Sequence, residues 1–330
     1  MSRGCLANVA RRTTGSRGGK SQRPAAFDLA GRFELAKHTI PSAVLQITPA
    51  RDTATASTVD GYRSGMLNEE RHGDVTRLVF ESWSSRSMRF SVSAYFVRGV
   101  LIDTAFRDVR SDLDRWLDAN QPNGAIVTHY HEDHAGNVAL LAARGLPMWI
   151  APATLERVRS PLRIGWYRRW CWGSAPPLVS EPVPYSHPAL EVLHTPGHSS
   201  DHHVVWDPER ETMFGADLFL GVKVKVSHPW PREDVRASIA ALRRAIALRP
   251  ARYFDAHRGL VPNAVAQLTA KADWTEEIVG HIDKLISGGW DDRAIVKVVF
   301  GGEPLLSYGT LFDYSRRNLV GSVRATSVAT

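Results

Sequence analysis

Cysteine is almost absent from this 330-residue sequence, which contains only Cys5 and Cys171. Two cysteines so far apart argue against a disulfide framework, and there is no CxxC pair to bind a metal. Long apolar runs are absent too: none approaches the ~20 residues that span a bilayer, and the N-terminus lacks the apolar core of a secretory signal. We therefore expect a soluble, cytoplasmic protein without a membrane partner.

An excess of basic residues is confined to the start of the chain. The net charge is +7, and residues 1–65 contain 10 Lys and Arg against 4 Asp and Glu. The remainder is nearly neutral, which gives no broad case for a nucleic-acid partner. We predict that residues 1–70 form a disordered basic extension, of which residues 1–65 are dispensable.

Strand and helix patterns alternate after this segment. Short apolar or β-branched runs at residues 76–81, 90–97, 100–104, 125–128, 190–194, 203–206, 212–214 and 252–255 predict strands. Periodic apolar positions predict helices at 108–119, 137–144 and 232–248. This alternation indicates an α/β fold. Residues 263–330 are predicted to be a helical C-terminal extension.

The densest chemistry lies in His129, His131, Asp133 and His134, which form an HxHxDH run directly after a predicted strand. Imidazole nitrogens and carboxylate oxygens suit Zn²⁺, and also Fe or Mn. Three histidines and an aspartate within six residues are difficult to explain as structural. The run therefore predicts a metal site on a loop at a strand end.

Three more residues stand at predicted strand ends in the same way. His198 follows a Thr-Pro-Gly turn, Asp217 follows residues 212–214, and His257 follows residues 252–255. Each alone could be structural. Their shared setting with the HxHxDH run favours a common site.

Over about residues 75–260 this pattern resembles the metallo-β-lactamase-like superfamily. The resemblance implies a four-layer αββα sandwich, here residues 71–262, with two divalent metal ions at one edge. It implies that His129, His131 and His198 bind one metal, that Asp133, His134 and His257 bind the other, and that Asp217 bridges them. We predict Asp133 and His257 as catalytic residues, and Asp103 as a carboxylate that orients a ligating histidine. Asp103 as a turn residue is the alternative.

An aspartate at position 217 resembles the glyoxalase II, ribonuclease Z and lactonase branches more than the true β-lactamases. We therefore predict a binuclear hydrolase in which a hydroxide shared by the metals attacks an ester, thioester or lactone bond of a small molecule. The C-terminal segment has no pattern that matches the glutathione-binding residues of glyoxalase II. A phosphodiesterase or ribonuclease of the same superfamily, a mononuclear iron oxygenase and a non-catalytic metal-binding protein remain as alternatives.

Residues 153–180 form a predicted insertion in which arginine and tryptophan alternate. Such a stretch can stack bases and pair phosphates, cover a small acidic or apolar molecule, or simply pack on the surface. Lys223 and Lys225 are close enough in sequence to Asp217 to reach a negatively charged substrate. His202 and His203, close to His198, are predicted to pack, and a contact that orients a metal ligand is the alternative for either of them.

Overall fold

The computed structural model describes residues 66–327, which form two β-sheets. The first sheet has six strands in sequence order: β1 (Met66–His72), β2 (Val75–Glu81), β3 (Val92–Val97), β4 (Val100–Ile102), β5 (Gly124–Val127) and β6 (Met148–Ile150). The second has five strands in the order β11 (Gly259–Leu260), β10 (Arg252–Asp255), β9 (Thr212–Phe214), β8 (His203–Asp207) and β7 (Glu191–His194). Parallel pairing joins β4 to β5, β5 to β6 and β9 to β10; the other neighbours are antiparallel.

The inner faces of the two sheets share an apolar core rich in aromatic and β-branched residues. Phe214 of β9 stacks on Phe254 of β10 with ring centroids 5.4 Å apart. Tyr95 of β3 packs against both rings, and its hydroxyl donates a hydrogen bond of 2.6 Å to the carbonyl oxygen of Asp255. This contact joins the sheets near the end of β10, where His257 follows.

Helices cover both outer faces. Their bounds are α1 (Trp83–Ser87), α2 (Arg110–Asn120), α3 (Val138–Ala143), α4 (Pro152–Arg159), α5 (Trp166–Trp172), α6 (Val235–Ala247), α7 (Ala264–Ser287), α8 (Asp292–Phe300), α9 (Leu305–Gly309) and α10 (Arg316–Ser327), with a 3₁₀ turn at Arg107–Val109. Leu113 of α2 and Leu141 of α3 pack on the first sheet, and Leu242 of α6 and Leu268 of α7 on the second. The four layers confirm the predicted αββα class. Among these helices, none is long and apolar enough to cross a membrane.

The C-terminal helices add an apolar cluster of their own. Ile282 of α7, Ile295 of α8 and Val320 of α10 are fully buried together. The α10 helix also contacts α6, since the Ser322 hydroxyl accepts a hydrogen bond of 3.1 Å from the Val235 N–H. The predicted helical extension is therefore packed onto the sandwich.

Element boundaries differ from the sequence predictions mainly at the edges of the fold. The predicted division after residue 70 falls inside β1, a strand that pairs with β2 along all seven of its residues. The sequence of β1 lacks apolar alternation because most of its side chains are solvent-accessible at a sheet edge. The prediction that residues 1–65 are dispensable lies outside the described residues. The predicted insertion, 153–180, contains most of α4 and all of α5.

Candidate metal centre

The HxHxDH loop leaves the end of β5 and is held in place by Asp103, which follows β4. The backbone N–H and hydroxyl of Thr128 both donate to the Asp103 carboxylate, at 2.8 and 2.9 Å. Asp103 adopts a left-handed backbone with φ of +63°, which aspartate tolerates better than most residues. The loop that follows buries its histidines and aspartate beneath the edge of the first sheet.

The other three predicted ligands come from loops of the second sheet. His198 follows Gly197, whose φ of +143° and close approach to Ser238 of α6 leave no space for a side chain. Asp217 follows β9. His257 follows β10 in a turn closed by Asp255, whose carboxylate accepts the N–H of His257 at 2.9 Å. Loops at the same edge of both sheets thus meet at one place.

The first of two side-chain groups contains His129, His131, His198 and Asp217. His131 Nδ1 lies 3.1 Å from His129 Nε2 and 2.9 Å from His198 Nε2, and Asp217 Oδ2 lies 3.1 Å from His198 Nε2. Ligands of a tetrahedral Zn²⁺ with bonds of 2.0–2.1 Å stand about 3.3 Å apart. These four side chains therefore fit one such ion.

The second group contains Asp133, His134, His257 and, again, Asp217. Asp217 Oδ1 lies 3.2 Å from His134 Nε2 and 3.3 Å from His257 Nε2. His134 Nε2 and Asp217 Oδ1 are buried without a hydrogen-bond partner in the described part of the chain, and Asp133 Oδ2 lies 3.5 Å from His257 Nε2. Buried polar atoms without partners are costly, and a cation held by these side chains would satisfy both. This group also fits a metal ion.

Hydrogen bonds behind the rings fix which nitrogen faces the centre. His134 Nδ1 donates to Asp103 at 2.8 Å, and His257 Nδ1 donates to the Ser91 carbonyl oxygen at 2.7 Å. Thr128, whose hydroxyl donates to Asp103, can accept from His129 Nδ1 at 3.0 Å. Each bond leaves Nε2 free as a ligand, as in most protein metal sites. Asp103 thus has the orienting contact predicted for it, and it reaches histidines of both groups.

The pKa values of the site residues are shifted in different directions. Burial, reinforced by neighbouring histidines, holds the pKa of His129 well below its usual range. For His257, burial lowers the pKa, but the Asp217 and Asp133 carboxylates together outweigh burial and raise the pKa to about 9. Three histidines hold the pKa of Asp217 well below its usual range despite its burial. Neutral imidazoles and ionised carboxylates are the forms that bind metals, so His129 and Asp217 are ready to bind, whereas His257 must release its proton when a metal binds.

Comparisons with known proteins assign the chain to a family. A family model described as the metallo-beta-lactamase superfamily matches residues 88–257. The chain belongs to the metallo-β-lactamase superfamily. A "Beta-lactamase-like protein 2 homolog" from Drosophila melanogaster is 25% identical over 186 residues, which cover 52% of this chain and 58% of that relative.

Solved structures of this superfamily resemble the chain at low identity. A metallo-beta-lactamase family protein from Thermus thermophilus superposes with a TM-score of 0.52 at 18% identity, over 71% of this chain and 86% of that one. A protein called TTHA1623, solved in a di-iron-bound form, is 29% identical and covers 56% of this chain and 93% of its own, with a TM-score of 0.45. The first likeness supports the fold.

Two residues near His198, Asp201 and His202, make hydrogen bonds beside the metal groups. The Asp201 carboxylate accepts from the Tyr130 N–H at 2.9 Å and from the hydroxyls of Ser199 and Thr154 at 2.7 Å, which ties the HxHxDH loop to the His198 turn. His202, for which an orienting contact is the alternative to packing, accepts a hydrogen bond of 3.2 Å from the Asp217 N–H. Their proximity to His198 was the only sequence signal.

Glu132 and Arg168 form a further contact that sequence reasoning missed. Arg168 of α5 donates to both carboxylate oxygens of Glu132, inside the HxHxDH run, and its guanidinium lies 3.8 Å from Asp133 Oδ1. Arg168 also lies 3.0 Å from His228 Nε2. The insertion thus supports the metal loop through a pair whose members are 36 residues apart in sequence.

A cavity of about 70 Å³ opens beside His198 and Asp217. Val224, Val226 and Leu319 are among its aliphatic lining residues, Glu233 and Asp234 add acidic groups, and the C-terminal helices supply Lys271 and Thr275. Lys223 lines a separate groove, and neither Lys223 nor Lys225 belongs to a metal group. The described residues therefore give no support to the predicted role of these two lysines.

Proposed function

We propose that this protein is a binuclear metal-dependent hydrolase that cleaves an ester, thioester or lactone bond in a small organic substrate. The main support is that Asp217 belongs to both four-residue groups, so two ions would lie side by side and share one carboxylate. We expect Zn²⁺, with Fe or Mn as alternatives because the ligands suit all three. A cytoplasmic location is part of this proposal.

The residues of the site would have different roles, as metal ligands, as groups that orient those ligands and as a proton acceptor. His129, His131 and His198 would hold one ion, and Asp133, His134 and His257 the other. When bound, such a pair lowers the pKa of water toward ~7 and polarises the scissile carbonyl. Asp103 and the Ser91 carbonyl keep Nε2 of His134 and His257 directed inward. The Asp133 carboxylate, whose Oδ2 lies 3.5 Å from His257 Nε2, would accept a proton from the attacking water.

The adjacent cavity supports a small, partly apolar substrate. Its volume of about 70 Å³ is room for several water molecules or a short acyl group. Aliphatic walls beside a polar centre are typical of small-molecule sites. A ribonuclease or phosphodiesterase remains the second candidate, because Trp166 and Trp170 are exposed at 55% and 39% in the arginine-rich insertion and could stack bases.

Purified full-length protein should be loaded separately with Zn²⁺, Mn²⁺ and Fe²⁺ and assayed with a p-nitrophenyl ester, a thioester, a lactone, a phosphodiester and RNA. We expect turnover of at least one acyl substrate, lost on chelation and in Asp133→Ala. Turnover of RNA or the phosphodiester alone would favour the second candidate. An intact two-metal protein that turns over none of them would favour a non-catalytic metal-binding protein.

A further inference from the structure

A second groove lies beside the HxHxDH loop, between α3 and the insertion. We call it the insertion groove; Tyr130, Glu132, Val138 and residues 157–178 contribute to its lining. None of its lining residues belongs to either metal group. Its volume is about 150 Å³, the size of engineered cavities that take benzene-sized ligands.

The floor of the insertion groove is aliphatic. Val138 of α3, Val158 of α4 and Leu178 are buried in the first apolar core and form its base. Ile164 and Leu162, the latter 42% exposed, extend this apolar surface toward solvent. Tyr130 is the only aromatic residue in the lining, so the groove offers little for stacking a nucleic-acid base.

Three arginines surround this floor. Arg157, Arg163 and Arg169 are exposed, and their guanidinium groups form no ion pair or hydrogen bond within residues 66–327. Neighbouring arginines behave differently: Arg159 pairs with Glu181, and Arg168 with Glu132. Within residues 153–180, the three arginines without partners are therefore the ones that line the groove.

The one acidic residue in the lining does not cancel this charge. Glu132 is already bound through both of its oxygens by Arg168, which is not part of the lining. A ligand in the groove therefore meets three free positive charges above an apolar floor. Burial of aliphatic carbon on the floor would favour binding. An anionic group would be attracted by the three arginines, which we call the rim of the groove.

We propose that the insertion groove binds a small molecule with an aliphatic body and one anionic head, a carboxylate or a phosphate. The site is separate from the metal centre, and its existence does not depend on the hydrolase proposal. An aliphatic amine or a neutral alcohol of the same length lacks the negative charge that the arginines of the rim attract. A nucleotide has the charge but lacks the aliphatic body.

Isothermal titration calorimetry on the full-length protein tests this with octanoate, octyl phosphate, octanol, octylamine and AMP. We expect binding of octanoate or octyl phosphate, and whichever binds more tightly identifies the head group. The affinity should rise about fourfold per methylene from butyrate to octanoate and fall as salt is added, because the rim is exposed. Equal affinity for octanol, or tighter binding of AMP, would overturn the proposal.

Variants distinguish the groove from the metal centre, which can also bind carboxylates. The combined variant Arg157→Gln, Arg163→Gln and Arg169→Gln should weaken binding about tenfold or more, and Leu162→Gln should weaken it as well. Arg249→Gln, at an exposed arginine outside the groove, serves as the matched control. Unfolding temperatures would verify that each variant folds. Binding that survives the triple variant but is lost in Asp217→Asn would assign the ligand to the metals and refute the groove.

Discussion

The two metal groups share Asp217 but differ in charge and in support. The first combines three histidines with this single carboxylate, whereas the second combines two histidines with two carboxylates. Asp103 contacts His134 of the second group directly, but it reaches His129 of the first only through Thr128. The second group also receives Arg168, 3.8 Å from Asp133.

This difference indicates that each group can be altered with limited effect on the other, except at Asp217. The carboxylate-rich group attracts a dication more strongly by charge alone. The histidine-rich group depends on the convergence of its ring nitrogens. The loss of metal and activity should therefore be largest for a substitution of the shared residue. It should be smaller for a ligand of one group, and smaller again for a residue that only orients a ligand.

The largest effect is expected for Asp217→Asn, which weakens both groups at once. We expect the metal content to fall below one ion per chain and activity to fall more than the 10–100-fold (an approximate range) typical of residues that only orient ligands. Plasma mass spectrometry and turnover of the best substrate from the panel measure this. Asp118→Asn, at an exposed carboxylate on α2, should change neither. Two tightly held ions in Asp217→Asn would show that the carboxylate is not shared.

A selective effect is expected for His198→Ala and His257→Ala. Each variant removes a ligand from one group only, so each should retain about one metal ion per chain and lose most of its activity. Metal analysis after dialysis, with parallel assays, distinguishes them. If either variant lost both ions while remaining folded, the groups could not be regarded as separable.

Smaller effects are expected for Asp103→Asn and Thr128→Val, which change residues behind the ligands, and the two variants should affect different metal groups. Asparagine keeps the left-handed backbone but cannot accept all the hydrogen bonds that Asp103 accepts from His134 and Thr128. Metal affinity should drop about 10–100-fold, mostly at the second group. Thr128→Val should affect the first group more, because it removes the hydroxyl beside His129. Competition with a chelator gives both affinities; identical profiles for the two variants would contradict this division.

The smallest effect concerns Lys271, whose ammonium donates to the carbonyl oxygens of Leu218 and Phe219 beside the metal groups. Burial lowers the pKa of Lys271 to about 8 from an ordinary value of 10.5. Between these values the unfolded chain binds a proton that the folded chain does not, so the free energy of unfolding rises with pH there. Urea unfolding of wild type and Lys271→Met at pH 7 and pH 10 should show this rise in wild type only. A parallel pH dependence in both proteins would contradict it.

Much of the site could be predicted because its residues follow apolar strands that have strong patterns of their own. The strands before His129, Asp217 and His257 all lie near their predicted positions. Contacts between segments that are distant along the chain have no comparable pattern in the sequence. Arg168 was one of several arginines in the insertion, and no local pattern assigns it to Glu132. Strand β1 was missed because an exposed edge strand lacks the apolar alternation on which such predictions depend.

Anomalous diffraction from crystals of the metal-loaded protein would show whether two ions share Asp217. We expect two peaks about 3.5–4 Å apart, one bound by His129, His131 and His198, the other by Asp133, His134 and His257, with Asp217 in contact with both. A single peak, or two peaks that share no ligand, would contradict it.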